Sequence, residues 1–250
     1  MVSALVLAGG SAKELAAVPA KGLVQVNGRP MVEYVVDALH RCPDIDRICV
    51  VMPVEYSFNR QIEEKLSIVL ANGNLLEVLK AGINSLNTED MVLAMSADIP
   101  LITPEAISDF LQRCSKRKAD IYYSIIKDDN IIKHFPSVKR TYAHVREGNF
   151  TGGNLILLKP QFVERNIELI GRVLESRKKP VRIVRILGIS FLLRFVLGLL
   201  EISQIEKRVG KLTRSACAGI ITPFVEIGLD VDKQSDLELV EAALAGGVHE

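Results

Sequence analysis

Five short stretches carry residue types that can grip phosphate or the cation that travels with it. The first is Leu7-Ala8-Gly9-Gly10-Ser11, at the end of an apolar run. Glycines there let backbone N–H groups approach phosphate oxygens, and a following helix start would add positive potential. A pair of glycines also makes an ordinary turn. No G-x-G-x-x-G and no G-K-[ST] follows, so the dinucleotide and Walker signatures are both missing. The second is Lys21, in Val18-Pro19-Ala20-Lys21-Gly22, with Lys13 as competitor. Either lysine can meet a phosphate as a point charge, or be an ordinary solvated side chain. The third is Ser96-Ala97-Asp98-Ile99-Pro100. A carboxylate at the end of a strand can hold Mg2+, which binds through few carboxylates plus substrate phosphates. It can equally cap the turn before Pro100. The fourth is Leu229-Asp230-Val231-Asp232, of which only one carboxylate is expected to share a cation with Asp98. The fifth is Phe150-Thr151-Gly152-Gly153-Asn154. Its glycines fit close approach to a ligand, with Thr151 and Asn154 fixing orientation, or a hairpin turn. Upstream, Arg140-Thr141-Tyr142 offers a cation for an anionic acceptor, or is an exposed strand edge.

Those residues need a scaffold, and the apolar pattern supplies one. Short continuous runs at Ala4–Ala8, Arg47–Met52, Leu66–Ala71, Met91–Ser96 and Ala119–Ile125 read as buried strands. Between them, Pro30–Arg41 has the three-and-four spacing of a helix, with proline at its start. Leu75–Leu86 follows an N-cap at Asn72 or Asn74, and Thr103–Cys114 begins with Thr103 as N-cap and Pro104 behind it. Strand–helix alternation with continuous apolar strands implies an α/β fold, Rossmann-like, with a mostly parallel sheet flanked by helices. Right-handed crossovers then gather the loops after the strands along one edge. Further on, Arg140–Arg146 and Asn154–Leu158 read as strands around a glycine turn, and Pro160–Arg177 as a helix. Val225–Ile227 reads as a short strand. A last helix starts near Ser235, with Ser235 and Glu238 as a capping box. No repeat or linker appears. The expected organisation is a single domain over residues 1–250 with a helical insertion near 160–212.

Composition narrows the class. The chain has 250 residues, 31 basic and 30 acidic, for a net charge of +1. That balance gives no overall electrostatic reason to bind nucleic acid. Cys42, Cys49, Cys114 and Cys217 are scattered without a CxxC pair, which predicts reduced thiols and no structural zinc. The apolar run Val2–Ala8 has no basic segment before it and passes straight into Gly9-Gly10, so no signal peptide is read and a cytoplasmic chain is expected. Hydrophobic residues make up 48% but aromatics only 5%, and mean hydropathy is +0.23. Buried aliphatic strands absorb much of that excess. The remainder is Ile186–Leu200, too short at 15 residues and interrupted by Arg194, so no transmembrane span is expected. Ser190, Arg194, Gly198 and Glu201 form one narrow polar stripe on a helix there. A buried or homodimer-interface helix through 186–200 is expected first. A lid over a hydrophobic acceptor comes second. Membrane-surface contact comes third, helped by Arg177-Lys178-Lys179, Arg182 and Arg185.

Taken in order, the LAGG at 7–10, a downstream lysine, GRPMVEYVVDAL at 28–39, SADIPLIT at 96–103 and DVDKQSDL at 230–237 resemble the MobA-like nucleotidyltransferases. Sugar-1-phosphate and sugar-alcohol-phosphate nucleotidylyltransferases are related to them. The resemblance runs over residues 1–158, returns at 216–245 and lapses across 160–212. It implies one antiparallel strand in the sheet. It implies attack of an acceptor phosphate oxygen on the α-phosphate of a nucleoside triphosphate, with pyrophosphate leaving. By this similarity Leu7, Ala8, Gly9 and Gly10 would hold triphosphate and base, and Asn72, Gly73 and Asn74 would face the base. Lys21 would stabilise phosphate charge. Asp98 would bind Mg2+, with Asp232 as second ligand and Asp230 as fallback. Gly152, Gly153 and Asn154 would touch a phosphorylated small-molecule acceptor, beside Arg140. One position departs: where the family commonly has an arginine for the leaving phosphates, this chain has Glu14, with Lys13 next to it as substitute. Two other functions fit the same fold: a non-catalytic nucleotide-binding protein and a nucleotide-sugar glycosyltransferase.

Overall fold

The computed structural model describes residues 1–10, 15, 17–56, 65–136, 138, 140–176 and 188–246. Lys13, Glu14, the basic run 177–185 and positions 186–187 of the apolar segment lie outside the described residues. The main sheet begins with β1 (Val2–Leu7). A 3-10 turn (Lys21–Leu23) and a small hairpin, β2 (Gln25–Val26) with β3 (Arg29–Pro30), lead into α1 (Met31–Arg41). Then come β4 (Ile45–Met52), β5 (Leu66–Leu70), α2 (Leu75–Leu86), β6 (Val92–Ser96), α3 (Pro104–Ser115) and β7 (Ile121–Lys127). A short α4 (Asp128–His134) precedes β8 (Ala143–Val145) and the long β9 (Gly148–Leu158). Helices α5 (Pro160–Arg165), α6 (Ile167–Ser176), α7 (Ile189–Val196) and α8 (Ile202–Thr213) follow. The described chain closes with β10 (Cys217–Thr222), a 3-10 turn (Val225–Gly228) and α9 (Gln234–Ala245).

The sheet has eight strands in the order β10-β7-β9-β6-β1-β4-β5, with β8 paired to β9. Strand β1 runs parallel to β4 and β6, β4 to β5, and β10 to β7. Among the described strands, β9 runs antiparallel to its neighbours β6, β7 and β8. This is the mostly parallel, helix-flanked sheet that the apolar runs imply. Burial on both faces explains those runs. In β1, Ala4 and Val6 enter one core layer under α1 and α3, while Leu5 enters the other under α2, α5 and α6. Each such buried aliphatic side chain contributes roughly 1.5–3 kcal/mol relative to exposure. A third, smaller cluster joins Val24, Val26 and Met31 to Val231, Leu237 and Val240, and so ties the hairpin and α9 together.

Several boundaries differ from the sequence reading, each for a local reason. Val225–Gly228 is a 3-10 turn, not a strand. Of Arg140–Arg146, only Ala143–Val145 is strand. Gly152 and Gly153 lie inside β9 and not in a hairpin turn, which falls instead at Arg146–Glu147. Pro160–Arg177 is interrupted at Asn166, whose side chain turns back to the Phe162 carbonyl. Helix α9 starts at Gln234, and Asp236, not Ser235 or Glu238, caps it by accepting the Asp232 and Lys233 backbone N–H groups. In α7 and its sequel, Leu193, Val196, Leu197 and Leu199 are exposed, so that helix is not packed on every side within this chain. Leu200 turns into the protein, where its carbonyl accepts the Arg146 N–H.

Candidate active site

The carboxyl ends of β1 and β6 lie side by side, and the loops that leave them form the floor of the site. The Ala97 N–H donates to the Leu7 carbonyl, and the Ala8 N–H donates to Val51 at the end of β4. Gly10 takes a positive φ of 97°, a conformation that favours glycine, and its carbonyl receives the Lys21 N–H. Gly22 then packs where a Cβ would come within 3.1 Å of Ala8 and Ala97. That tight stacking brings the 3-10 turn against both loops and aims Lys21 at the end of β6. The Lys21 ammonium bridges the carboxylates of Asp98 and Asp232. On its other oxygen Asp98 accepts the Ser96 hydroxyl.

Asp230 and Asp232 both arrive here. One carboxylate oxygen from each of Asp98, Asp230 and Asp232 lies within 4.8 Å of the others. The sequence reading sends the two carboxylates to opposite sides, so that only one would join Asp98; the structure places both beside it. Side chains two residues apart on an extended segment leave on the same side, so Val231 drops into the third apolar cluster while the aspartates face Asp98. The Val231 N–H donates to the Asp98 carbonyl and fixes the register. Arg140 bonds Asp230, across 90 positions of sequence.

Lys21 and Arg140 together leave one negative charge uncancelled among the three carboxylates. Burial alone would lower the Lys21 pKa, but the Asp98 charge and hydrogen bonds to Asp232 and Asp98 outweigh it and leave it raised. Burial pushes Asp230 up, and the charges of Asp98 and Asp232 add to that against the pull of Arg140. For Asp232, burial is outweighed by the Lys21 hydrogen bond and charge, and its pKa falls below the usual range. Three clustered carboxylates with residual negative charge are a donor set that suits a hard divalent cation such as Mg2+.

The other sequence-predicted residues have these places. Gly9 has open space where a Cβ would stand, on the loop beside Lys21. Asn74, not Asn72, caps α2: its side chain accepts the Leu76 and Glu77 N–H groups, and Glu77 reaches back to the Asn74 N–H. Gly73 has a φ of 126°, and a Cβ there would strike Glu77. Asn154 donates to the Ile227 carbonyl, and Gly153 packs on Ser124 and Ile227, so both brace the turn that leads to Asp230. Gly152 leaves room for the Tyr123 hydroxyl, which a Cβ there would strike. Sequence reasoning missed Ser96 as a partner of Asp98, although the i, i+2 spacing on a strand end signals it. It also missed the Arg140–Asp230 contact, for which no local signal exists.

The family model described as the MobA-like NTP transferase domain matches residues 4–163. A 2-C-methyl-D-erythritol 4-phosphate cytidylyltransferase of Clostridium perfringens is 30% identical over 116 residues, covering 43% of this chain and 51% of the relative. The enzyme of that name from Clostridium botulinum is 27% identical over 119 residues, 45% and 53% of the two chains. The chain therefore spans about half the length of the curated relatives it matches. Among solved structures, a hypothetical transferase from Thermus thermophilus superimposes with a TM-score of 0.82 at 34% identity, covering 94% of this chain and 99% of that one. The 2-C-methyl-D-erythritol 4-phosphate cytidylyltransferase of Thermus thermophilus gives a TM-score of 0.59 at 14% identity over 98% of each chain, a likeness of fold. Among the described residues no helix is long and apolar enough to cross a membrane.

Proposed function

The chain belongs to the MobA-like NTP transferase domain family, and from that premise we propose that it moves a nucleoside monophosphate from a nucleoside triphosphate to a phosphorylated small-molecule acceptor. The observation that carries the reading is Lys21 and the Asp98–Asp230–Asp232 cluster set against the glycine loop at the carboxyl ends of β1 and β6. In this reading an acceptor phosphate oxygen bonds to the α-phosphorus as the bond to the β-phosphate bridging oxygen breaks, and pyrophosphate leaves with that electron pair. The protein's work is positioning and charge stabilisation.

The loop Leu7–Gly10 supplies backbone to the triphosphate, and Lys21 supplies positive charge to its oxygens. Asp98, Asp232 and Asp230 are the residues that would hold Mg2+. A cation bound there would offset the triphosphate's charge and draw electrons from the α-phosphorus. Ser96 and Arg140 keep Asp98 and Asp230 turned inward. The curated relatives are cytidylyltransferases by name, which makes CTP the first donor to try and a sugar-alcohol phosphate the first acceptor. The test is pyrophosphate release with each nucleoside triphosphate, Mg2+ and a panel of phosphorylated acceptors. Release is expected for one pairing, and Asp98→Ala should lower it by about 100-fold or more. Normal release in that variant would sink the assignment of Asp98. Tight nucleotide binding without turnover would favour a binding protein, and preference for a finished nucleotide-sugar would favour a glycosyltransferase.

A further inference from the structure

Aliphatic side chains left together in water mark a surface that another body covers. Helix α7 and the turn after it carry four: Leu193, Val196, Leu197 and Leu199 are 61%, 74%, 67% and 49% exposed. The first three follow i, i+3, i+4 spacing and form one ridge along α7. None of the four joins the apolar clusters of the fold. The ridge has a cationic rim. Helix α7 lies along α8: Arg194 donates to Gln204 at 3.1 Å, and the Arg208 guanidinium is 6.0 Å from the centre of the Phe191 ring. Lys207 and Lys211 follow Gln204 and Arg208 by three positions, so they flank the line of contact with α7. Both lysines are exposed, as are Arg194 and Arg214.

The acids of this stretch are spent on cations outside it. Glu201 pairs with Arg146, and Glu206 pairs with Arg117. Among the described residues no carboxylate pairs with Lys207, Lys211 or Arg214. The sequence is segregated in the same sense. Residues 177–214 hold ten of the 31 basic residues and two of the 30 acidic ones, a net +8 against −7 for the remainder. Positions 177–187 lie outside the described residues, and the rim of Arg194, Lys207, Lys211 and Arg214 stands without them. A second copy of the chain suits this face poorly. A symmetric dimer sets a patch against itself and would bring two cationic rims together. Stable dimers also use roughly 20–30 residues a side. An anionic bilayer surface matches both parts: the acyl boundary takes the aliphatic ridge, and headgroup phosphates take the lysines and arginines. At eight residues α7 is too short to span, so the contact is peripheral.

We propose that α7 and the exposed cations of α8 dock the protein on an anionic lipid surface. The docking face stands at the same edge of the sheet as the carboxylate cluster. The Leu200 carbonyl and the Ile202 N–H bond Arg146 and Glu147, at the turn between β8 and β9. Strand β9 runs antiparallel to β6, so that turn lies beyond the carboxyl end of β6, where Asp98 leaves the sheet. Docking therefore holds the edge that carries Asp98 near the headgroups. The docking itself does not depend on the nucleotidyltransferase reading.

The test is flotation of the full chain with vesicles of phosphatidylcholine alone, or of phosphatidylcholine with about one third phosphatidylserine. The chain should float with the anionic vesicles and not with the neutral ones, and salt of about 0.5 M should weaken binding by screening. Replacing both lysines, Lys207→Gln with Lys211→Gln, should weaken binding about 30-fold, near fivefold for each charge removed. Leu193→Gln with Leu197→Gln should weaken it about tenfold or more, through the apolar area no longer buried. Both double variants should keep the wild-type Tm, because these side chains already stand in water. Wild-type chain that binds no anionic vesicles below about 1 mM lipid, or binds neutral and anionic vesicles alike, overturns the proposal. Unchanged affinity in both double variants would also overturn it, by removing this face from the contact. A lowered Tm in the leucine variant would make the ridge part of the fold and not a docking surface. Sedimentation velocity supplies the last arm: a wild-type dimer that becomes a monomer in the leucine variant would give the face to a second copy of the chain.

Discussion

Lys21 stands between two carboxylates that a divalent cation would also use. The proposed function gives this ammonium a second partner, the triphosphate oxygens. Lys21→Met removes the charge and keeps the length of the side chain. It should lower kcat by about 100- to 1000-fold, the usual effect of deleting one electrostatic contact to the transition state. Single-turnover kinetics at saturating triphosphate check this, and an unchanged rate would assign Lys21 to holding the two aspartates together. At this scale the sequence was informative where chemistry is local. Asp98 follows a strand, and Lys21 follows a glycine loop, so both were legible as candidates. The sequence reading sends only one carboxylate of Asp-Val-Asp toward Asp98, although positions i and i+2 on an extended segment share a side and Val231 between them is core. Asn74 was legible too, but as the cap of α2, and both lone pairs of its side-chain oxygen are spent on Leu76 and Glu77. What stayed hidden were contacts between distant segments, such as Arg140 with Asp230. No spacing rule reaches across 90 residues.

Elements were legible where burial is two-sided, because a strand covered on both faces must be continuously apolar. That is why β1, β4 and β6 could be read directly. Strand β9 is harder, since Gly152 and Gly153 mimic a turn while their real requirement is room for Tyr123, Ser124 and Ile227. Its antiparallel direction follows from pairing with β6 and β7, which only the fold displays. The ends of β7, β9 and β10 are joined by one carboxylate. Asp120 accepts the Lys159 ammonium at 2.9 Å and the Ala216 N–H at 2.9 Å. The Lys159 hydrogen bond first, and the Ala216 N–H second, hold its pKa below the usual carboxylate value. A depressed carboxylate pKa stabilises the fold above the unfolded value of about 3.9. That contribution is lost as pH falls through the lower, folded value. Asp120→Asn should therefore cost up to about 1 kcal/mol at pH 7, discounted for the half-exposed lysine. The difference from wild type should shrink as pH falls below the unfolded value and through the lower, folded one, read by urea unfolding at each pH. A constant difference across that range would mean that shape, not charge, makes the contact.

On the scale of the whole molecule, the site gathers the 3-10 turn after β1, the end of β6, the segment before β8 and the loop before α9. Holding Asp98, Asp230 and Asp232 within 4.8 Å of one another with two cations works against folding. Asp230 carries that cost most plainly. Burial and its two acidic neighbours raise its pKa, so its charged form is less favourable in the fold than in the unfolded chain. Asp230→Asn keeps the shape and an acceptor for Arg140, and removes one charge. Without ligand its Tm should equal or exceed that of wild type, by roughly 2–4 °C for each kcal/mol relieved. Ligands that bind only the folded state raise Tm according to their affinity. Mg2+ with the cognate triphosphate should therefore raise the wild-type Tm, and the Mg2+-dependent part of that rise should shrink in Asp230→Asn. The two effects have opposite signs, which is the mark of a residue retained for function at the expense of stability. A variant with a lowered ligand-free Tm and the full Mg2+-dependent rise would make Asp230 a structural partner of Arg140. The cation would then rest on Asp98 and Asp232 alone.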